Sequence, residues 1–398
     1  MKKLLCSAAV IGLAVVATTP AHAEDGLTLD VGGYFKGYGM YTDQDDEPVA
    51  AGTGESRELD IIRNTEVHFS GETTLDNGLT VGAHIESGAD NEDGFAVNET
   101  YAYFSGGWGR VNFGSEDGAS YLLQVEAPSA DDNIDGIRQF VNPINYAGIE
   151  TGGSLAGLNV AASGSAGGLD YDQDISGAAD KLTYLSPIMN GFQVGVSYTP
   201  DINDASNENA LNDDDDDDEL GSVYEAAVRY EGQFNNVGVI AGAGYTHAEL
   251  EEQIGAQAGG DAFSDDLTAW NAGLDLDIGP FGVGVAYTIN DFGDDPISAT
   301  DELDEEETWV VGVDYTTGPF KLGASYLNQE GANNIAGATG NDGIEVDRYT
   351  GGVVYTYGPG MTFRGSISHA EFENVAGITG GSTDADATSV VIGTQINF

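Results

Sequence analysis

The amino-acid sequence predicts an all-β protein, a transmembrane antiparallel β-barrel that crosses its membrane with strands. Apolar and polar residues alternate with a two-residue period in many segments, whereas helical spacing fails on the same segments. Tight turns alternate with long acidic connections along the chain. Beyond residue 23, no stretch approaches the ~18 uninterrupted apolar residues that a membrane helix requires. Strands are therefore the predicted membrane-spanning elements.

The N-terminal segment has the pattern of a secretory signal peptide. Two lysines precede an apolar run over 4–17, and Ala21 and Ala23 supply the small residues of a cleavage site. We expect residues 1–23 to be removed and residues 24–398 to form a single barrel domain. The one cysteine, Cys6, is lost with this segment, so disulfides and thiol chemistry are not expected in the mature chain.

The composition excludes several classes of protein. The chain has 67 Asp plus Glu against 12 Lys plus Arg, a net charge of −55, which is the wrong sign for a nucleic-acid partner. Its 58 glycines indicate many turns, while 15 Phe and 19 Tyr make it too aromatic for a disordered chain. No nucleophile elbow, phosphate loop or paired-cysteine motif occurs, so no enzymatic activity is predicted.

The strand pattern indicates which face meets lipid. In the last strand, Val390, Ile392, Thr394, Ile396 and Phe398 share one face. Across the strands the opposite face carries Gly, Ser, Thr and charges, which favours lipid outside and water inside over an apolar core. Such a sheet must close, because unpaired edge groups are costly in hydrocarbon. Aromatic residues at the strand ends predict two girdles, with members Tyr230, Tyr245, Phe281, Tyr287, Trp309, Tyr315, Phe320, Tyr326 and Tyr357.

The connections predict the topology. Tight turns are expected at 76–78, 106–109, 188–191, 279–280, 318–319 and 358–360, and long acidic loops at 42–57, 88–96, 200–220, 249–265, 292–306, 329–345 and 372–386. Short turns then lie at one end of the barrel and long loops at the other. In the first hairpin, a loop at 76–78 places Phe69 opposite Ile85 and Thr73 opposite Val81, so the apolar faces match.

Several blocks resemble Gram-negative general porins of the alphaproteobacterial type. They are Thr65–Leu75, Gly109–Gly118, the hairpin 181–198 and the terminal strand Ser389–Phe398. The resemblance implies sixteen strands, a homotrimer and a third loop, at about 117–179, that folds inward as a constriction. It also implies Phe398 as a C-terminal assembly signal, read by the outer-membrane barrel assembly machinery, and contact with outer-membrane lipid and lipopolysaccharide. Two weakly apolar stretches within 142–164 leave eighteen strands as an alternative.

Parity predicts the charges of the pore wall. Acidic residues outnumber basic ones on the inward face, and the two wall positions that match basic positions of general porins, Glu66 and Asn98, are not basic. Arg63 has outward parity unless a bulge turns it toward the pore. The inward basic residues are Lys36, Arg110, Arg229, Lys321, Arg348 and Arg364, and the inward acidic ones are Glu66, Glu72, Glu86, Glu225, Glu231, Asp275, Asp277 and Asp314. A negative eyelet favours cations.

The third loop supplies further candidate residues. The predicted constriction acids are Glu126, Asp131, Asp132 and Asp135. Asp131, Asn133 and Asp135 also match the opening of a calcium loop. Asn142 stands where an EF-hand needs its bidentate acid, which disfavours that motif and leaves calcium in a looser geometry as an alternative. No other cofactor is expected.

Two features have simpler interpretations. The acidic run 213–219 is expected to be a self-repelling, disordered loop segment. His68 faces Glu86 and His84 faces Ser70 across the predicted hairpin. Without a third convergent ligand, this pair indicates polar lining rather than a zinc site.

The sequence favours a passive diffusion channel for small hydrophilic solutes, with cation preference. An alternative is a structural or adhesive outer-membrane barrel whose acidic loops bind divalent cations or a surface partner. A soluble, secreted calcium-binding β protein is a third reading, although the nonapeptide repeats of such solenoids are absent.

Overall fold

A computed structural model describes residues 28–44, 57–91, 94–130, 171–202, 220–251, 265–291, 305–331, 344–373 and 384–398. These residues form a closed antiparallel barrel with one short helix inside it. Within this part of the chain, no helix is long and apolar enough to cross a membrane. The elements are β1 (Thr28–Gln44), β2 (Leu59–Thr74), β3 (Thr80–Asn91), β4 (Gly94–Gly106), β5 (Gly109–Ser115), α1 (Ala119–Leu122), β6 (Asp180–Leu185), β7 (Phe192–Thr199), β8 (Leu220–Phe234), β9 (Val237–Leu250), β10 (Leu267–Ile278), β11 (Phe281–Asp291), β12 (Glu305–Thr317), β13 (Phe320–Gly331), β14 (Ile344–Gly358), β15 (Met361–Glu373) and β16 (Ala385–Asn397).

The strand order confirms the sixteen-strand prediction. Each strand pairs with its neighbours in sequence, and β16 pairs with β1 to close the wall. Because β5 is hydrogen-bonded directly to β6, no additional hairpin enters the wall between them, and the eighteen-strand alternative is wrong. At the seam, Gly33 and Phe398 exchange two backbone hydrogen bonds of 3.0 and 3.1 Å.

The turns lie at one end of the barrel, here called the short-turn end, and the remaining connections lie at the long-loop end. The predicted register of the β2–β3 hairpin is confirmed, with Phe69 opposite Ile85. One turn was not predicted: β8 and β9 are joined through Asn235, whose φ is 55°. The predicted long loop at 88–96 is wrong, because β3 continues to Asn91 and β4 begins at Gly94.

The outward face is apolar, and its aromatic residues form two bands. At the long-loop end, Tyr245 packs on Trp270 and Tyr287 on Trp309, with ring centroids 4.4 and 4.3 Å apart. At the short-turn end the pairs include Phe192–Tyr230, Phe281–Tyr315 and Phe320–Tyr355. All of these are cross-strand pairs in register. Paired bands of this kind are typical of the two interfaces of a membrane barrel.

Candidate functional site: the lumen and the third loop

The third loop, residues 116–179, enters the barrel after β5. The structure describes its two arms, 116–130 and 171–179, and α1 lies at the start of the first arm. The Ala119 amide donates to Ser197 Oγ at 2.9 Å. Ser120 Oγ donates to Glu225 Oε1 at 2.9 Å and lies 2.7 Å from Thr246 Oγ1. Buried polar groups of three wall strands thus hold the loop against the inner wall.

The first arm crosses the wall over inward-facing glycines. Leu123 lies against Gly195 and Gly242, Val125 against Gly242 and Gly273, Pro128 against Gly284 and Gly312, and Ala130 against Gly323. A Cβ atom added at Gly312 would overlap the Pro128 carbonyl oxygen, and one added at Gly273 would overlap that of Val125. Glycine at these strand positions permits the close backbone approach. We call this row the glycine track; its members are Gly195, Gly242, Gly273, Gly284, Gly312 and Gly323.

Lys181, at the start of β6, ties the two ends of the third loop together. Its side chain is almost fully buried, at 3% exposure. The ammonium donates to the carbonyl oxygens of Gly177 and Ala179 at 2.6 and 2.8 Å, and to that of Glu116. The carboxylates of Glu225, Asp174, Asp117 and Glu116 surround the same charge and favour it. Burial disfavours this cation, and the three carbonyls and four acids reduce that cost.

Glu116 continues this network toward the short-turn end. Both of its carboxylate oxygens accept hydrogen bonds from Asn112 Nδ2, at 2.7 and 2.6 Å. Burial raises the pKa of the Glu116 carboxyl, and the Asn112 amide and the Arg110 charge act against that rise. Arg110 in turn donates to Asn112 Oδ1 at 2.6 Å and lies 4.1 Å above the Tyr103 ring.

The two arms of the third loop are bonded to each other and to the wall. The backbone N–H of Gln173 donates to Gln124 Oε1 at 3.1 Å. Asn271 Nδ2 donates to the side-chain Oε1 of Gln173 at 3.0 Å. The Ala127 amide donates to the Tyr171 hydroxyl at 3.2 Å. Tyr171 and Ala127 also pack with wall residues of β11, β12 and β13 in one buried apolar cluster. The loop therefore narrows the lumen as a fixed element along its described length.

A closed barrel with polar lumen, apolar exterior and a loop fastened across its inside is the architecture of an aqueous channel. Residues 7–375 match the family model of Gram-negative porins. The chain belongs to the Gram-negative porin family. It is an outer-membrane channel protein.

Solved porin structures share the fold. The anion-selective porin from Comamonas acidovorans superimposes with a TM-score of 0.61 at 16% identity, covering 94% of this chain and 100% of that one. Salmonella typhi OmpF in complex with daunomycin gives 0.59 at 16% identity, with 93% and 97% coverage. The loop L8 deletion mutant of Vibrio cholerae OmpT gives 0.56 at 16% identity, with 94% and 100% coverage. No curated protein matches this sequence significantly.

The predicted basic residues of the porin wall lie in inward rows. Arg229 donates to the Gln124 carbonyl at 2.6 Å and to Glu231 at 2.8 Å, so it also fastens the third loop. Lys321 lies 3.6 Å from Asp314. Lys36 lies 4.5 Å above the Tyr34 ring, and Arg364 donates to Thr362 Oγ1 at 3.2 Å. Arg348 is buried, at 2% exposure.

Two further predictions concern β2 and β4. Asn98 lies at a register shift that sets Asn98 and Glu99 against Glu86, and its amide donates to Glu66 Oε1 at 2.7 Å. Glu66 and Asn98 thus meet on the inner wall. Arg63 is opposite Gly37 in an unbroken register with β1, in the row of the highly exposed Ile61. No bulge turns it inward, so the porin carries Arg63 outside the lumen and its inclusion in the pore wall is corrected.

The loop acids are only partly within the described residues. Glu126 is half-buried on the first arm. Asp131, Asp132 and Asp135, and with Asn133 the predicted calcium loop, lie outside the residues that the structure describes. The acidic run 213–219 lies outside them as well. The role of these acids in the porin stays a prediction.

The histidines differ from the sequence interpretation. His84 Nε2 lies 2.7 Å from Glu86 Oε1, and His68 Nδ1 lies 3.7 Å from the same oxygen. A third convergent ligand is therefore present, which the two-residue period of the strands did not predict. Parity alone placed Glu86 opposite His68 but did not show that its carboxylate also reaches His84, two residues back on the same strand.

Lys181 and the glycine track were the functional elements that sequence reasoning missed. Lys181 precedes Leu182, which is 50% exposed on the outward face of β6. The alternation of the strand therefore indicates that Lys181 points inward. The glycines were assigned to a water-lined wall. Their close contact with a loop from elsewhere in the chain has no local signature.

Proposed function

We propose that this outer-membrane porin is a passive, water-filled diffusion channel for small hydrophilic solutes and that it prefers cations. The observation that supports cation preference is that the basic and acidic groups of the described lumen have different partners. Lys181 is bound by three carbonyls, and Arg229 by a carbonyl and Glu231. Four nearby carboxylates act on the charge of Lys181, and Glu231 pairs with Arg229, so both positive charges have partners within the third-loop framework.

The carboxylates on β2 and β3 contact neutral donors and histidines. Glu72 accepts from the Tyr103 hydroxyl and Glu66 from the Asn98 amide, which leaves their negative charge in place. The other partners of Glu66 and Glu86 are His68 and His84, and an imidazole balances a carboxylate only when it is protonated. Glu86 lies directly across from Glu99 on the neighbouring strand. Carboxylates that line a narrow aqueous path lower the energy of a cation and raise that of an anion. The overall net charge of −55 adds a negative potential that concentrates cations near the channel mouth.

The test of cation preference is the reversal potential of the purified channel in a planar bilayer under a potassium chloride gradient, with a chelator present. We expect the zero-current potential to shift toward that of potassium. Glu66→Gln combined with Glu86→Gln should move it toward zero, while the matched control Glu371→Gln, which removes an exposed acid of β15, should not. A reversal potential of the chloride sign would refute the proposal. Absence of ohmic current steps would instead favour the structural or adhesive role.

We further propose that the working assembly is a homotrimer, that residues 1–23 are cleaved during export, and that the protein catalyses no reaction. Family membership supports the trimer and the cleavage. The lack of recognisable catalytic motifs in the sequence supports the proposal that no reaction is catalysed. Sedimentation of the detergent-solubilised protein should give a mass of three chains. A monomer mass under conditions that preserve channel activity would overturn the trimer. Calcium in the third loop and the role of Phe398 in assembly stay predictions.

A further inference from the structure

A compact set of metal-ligating side chains lies on the β2–β3 hairpin, outside the third-loop network. His68, His84 and Glu86 each offer one ligand atom, and these atoms all lie within 4.8 Å of one another. The described residues contain no other such group of three. Tetrahedral zinc, with bonds of about 2.1 Å to nitrogen, needs its ligand atoms about 3.4 Å apart. His68 Nδ1 and Glu86 Oε1 are 3.7 Å apart, close to that value, whereas His84 Nε2 and Glu86 Oε1, now at a hydrogen-bond distance of 2.7 Å, would separate slightly when a metal binds.

The outer hydrogen bonds fit a metal site. If His84 binds through Nε2, its Nδ1 is left for Ser70 Oγ, 2.7 Å away. If His68 binds through Nδ1, its Nε2 faces Glu66 Oε2 at 3.5 Å. Metal-bound histidines usually place their second ring nitrogen against a carboxylate or another oxygen, which fixes the ring orientation. The His84 ring is hydrogen-bonded to Ser70, and Glu66, held by Asn98, lies within ion-pair distance of the His68 ring.

The setting is also fixed by packing. His68 and His84 stand on directly paired strands in continuous register, and their rings meet edge to face at 5.8 Å. Tyr34 lies beside His68 and Tyr101 beside His84, at centroid distances of 6.1 and 5.3 Å. The three ligating side chains are 15–26% exposed, so they are pre-positioned and accessible from the lumen.

We propose that His68, His84 and Glu86 form a binding site for a zinc-class divalent ion on the lumen wall, with a coordination position left open to water. Two imidazoles and one carboxylate suit zinc and its first-row neighbours, whereas calcium and magnesium prefer oxygen ligands. A divalent ion there would also balance the charges of two neighbouring carboxylates, Glu66 and Glu86, which both lie beside His68.

Zinc titration calorimetry on the full, detergent-solubilised porin tests the site. The protein is first treated with a chelator and then held in excess Ca²⁺ to saturate carboxylate-only sites. We expect one zinc per chain. His84→Gln should abolish the binding isotherm, and Glu66→Gln should weaken zinc affinity by about 10–100-fold, as loss of an outer partner does.

The matched control is His369→Gln. His369 also has a carboxylate neighbour, Glu371 at 3.4 Å, but it lies opposite the outward Tyr349. Zinc affinity should be unchanged in this variant. Equal zinc binding in wild type and His84→Gln, or displacement of zinc by excess Ca²⁺, would overturn the site. Should His84→Gln fail to fold, the Co²⁺-loaded wild type decides by its visible spectrum: intense tetrahedral bands support the site, and their absence refutes it.

The effect on transport rests on the proposed cation-preferring channel. Bound zinc adds positive charge to the wall, so zinc should reduce the potassium current of the wild type and leave that of His84→Gln unchanged. A channel that carries no current refutes the proposed function but leaves the calorimetric result intact. Loss of the calorimetric signal in a channel that conducts normally refutes the metal site alone.

Discussion

The lumen wall has two unlike regions. Strands β6 to β13 form a covered wall, where Lys181 is bonded to the third loop and the glycine track lies beneath the first arm of that loop. Strands β1 to β5 form an open wall, where large polar side chains such as His68, His84, Tyr101 and Tyr103 project inward. At the covered wall, the arm of the third loop occupies the space above the glycines. At the open wall, long side chains occupy the corresponding space. The channel is therefore bounded by rigid packing in one region and by titratable chemistry in the other.

The comparison also separates two uses of buried charge. In the covered wall, Lys181 and Glu225 are buried and act as fasteners between loop and barrel. In the open wall, Glu66 and Glu86 are only partly buried and remain accessible to ions. Loss of a fastener should cost stability, whereas loss of an open-wall charge should change selectivity.

The largest expected effect on stability comes from Lys181→Met. This change removes three hydrogen bonds to carbonyls and leaves the acids around Lys181 without their buried counter-charge. Breaking such a buried arrangement costs about 3–5 kcal/mol. The measurement is the urea unfolding midpoint of the folded barrel in detergent.

Lys321→Met is the control for that variant. Lys321 lies 3.6 Å from the wall acid Asp314, and its side chain is 20% exposed, against 3% for Lys181. A wall ion pair that is partly open to the aqueous lumen should contribute less to stability than the buried Lys181 arrangement. Equal losses of stability in the two variants would show that Lys181 is not a special fastener of the third loop.

A smaller loss of stability is expected from Gly312→Val. The new side chain would overlap the Pro128 carbonyl, and overpacking of this kind costs about 1–3 kcal/mol. Because the loop must move away from β12, the single-channel conductance should also change.

Gly351→Val is the matched control on the outward face of the barrel. Gly351 is on the outward row of β14, and the nearest atom to a Cβ placed there is 4.0 Å away. Its conductance should equal that of the wild type. If both valine variants alter conductance alike, the glycine track does not position the loop.

Much of the barrel was predictable because its determinants are local. A two-residue period gives the direction of each side chain, and a turn of known length gives the register, as Phe69 opposite Ile85 illustrates. Prediction failed where local signals mislead. Asp90 and Asn91 belong to an acidic stretch that resembles a loop, yet both continue β3, and the turn at Asn235 lacks the glycine or proline that marks the others.

The site was less predictable, because its contacts join distant parts of the chain. Parity gave the inward direction of Glu225, but not its hydrogen bond to Ser120, 105 residues earlier. Similarly, Asn98 reaches Glu66 through a register shift that no residue pattern announces. Predicting such contacts requires the path of the third loop and the positions of bulges, which depend on the assembled barrel.

The seam between Gly33 and Phe398 has a consequence for biogenesis. These two residues exchange hydrogen bonds although nearly the whole chain separates them. Loop closure over such a separation is slow, and until it occurs β1 and β16 both present open edges. A barrel that lacks β16 therefore keeps two open edges, at which pairing with another chain can start.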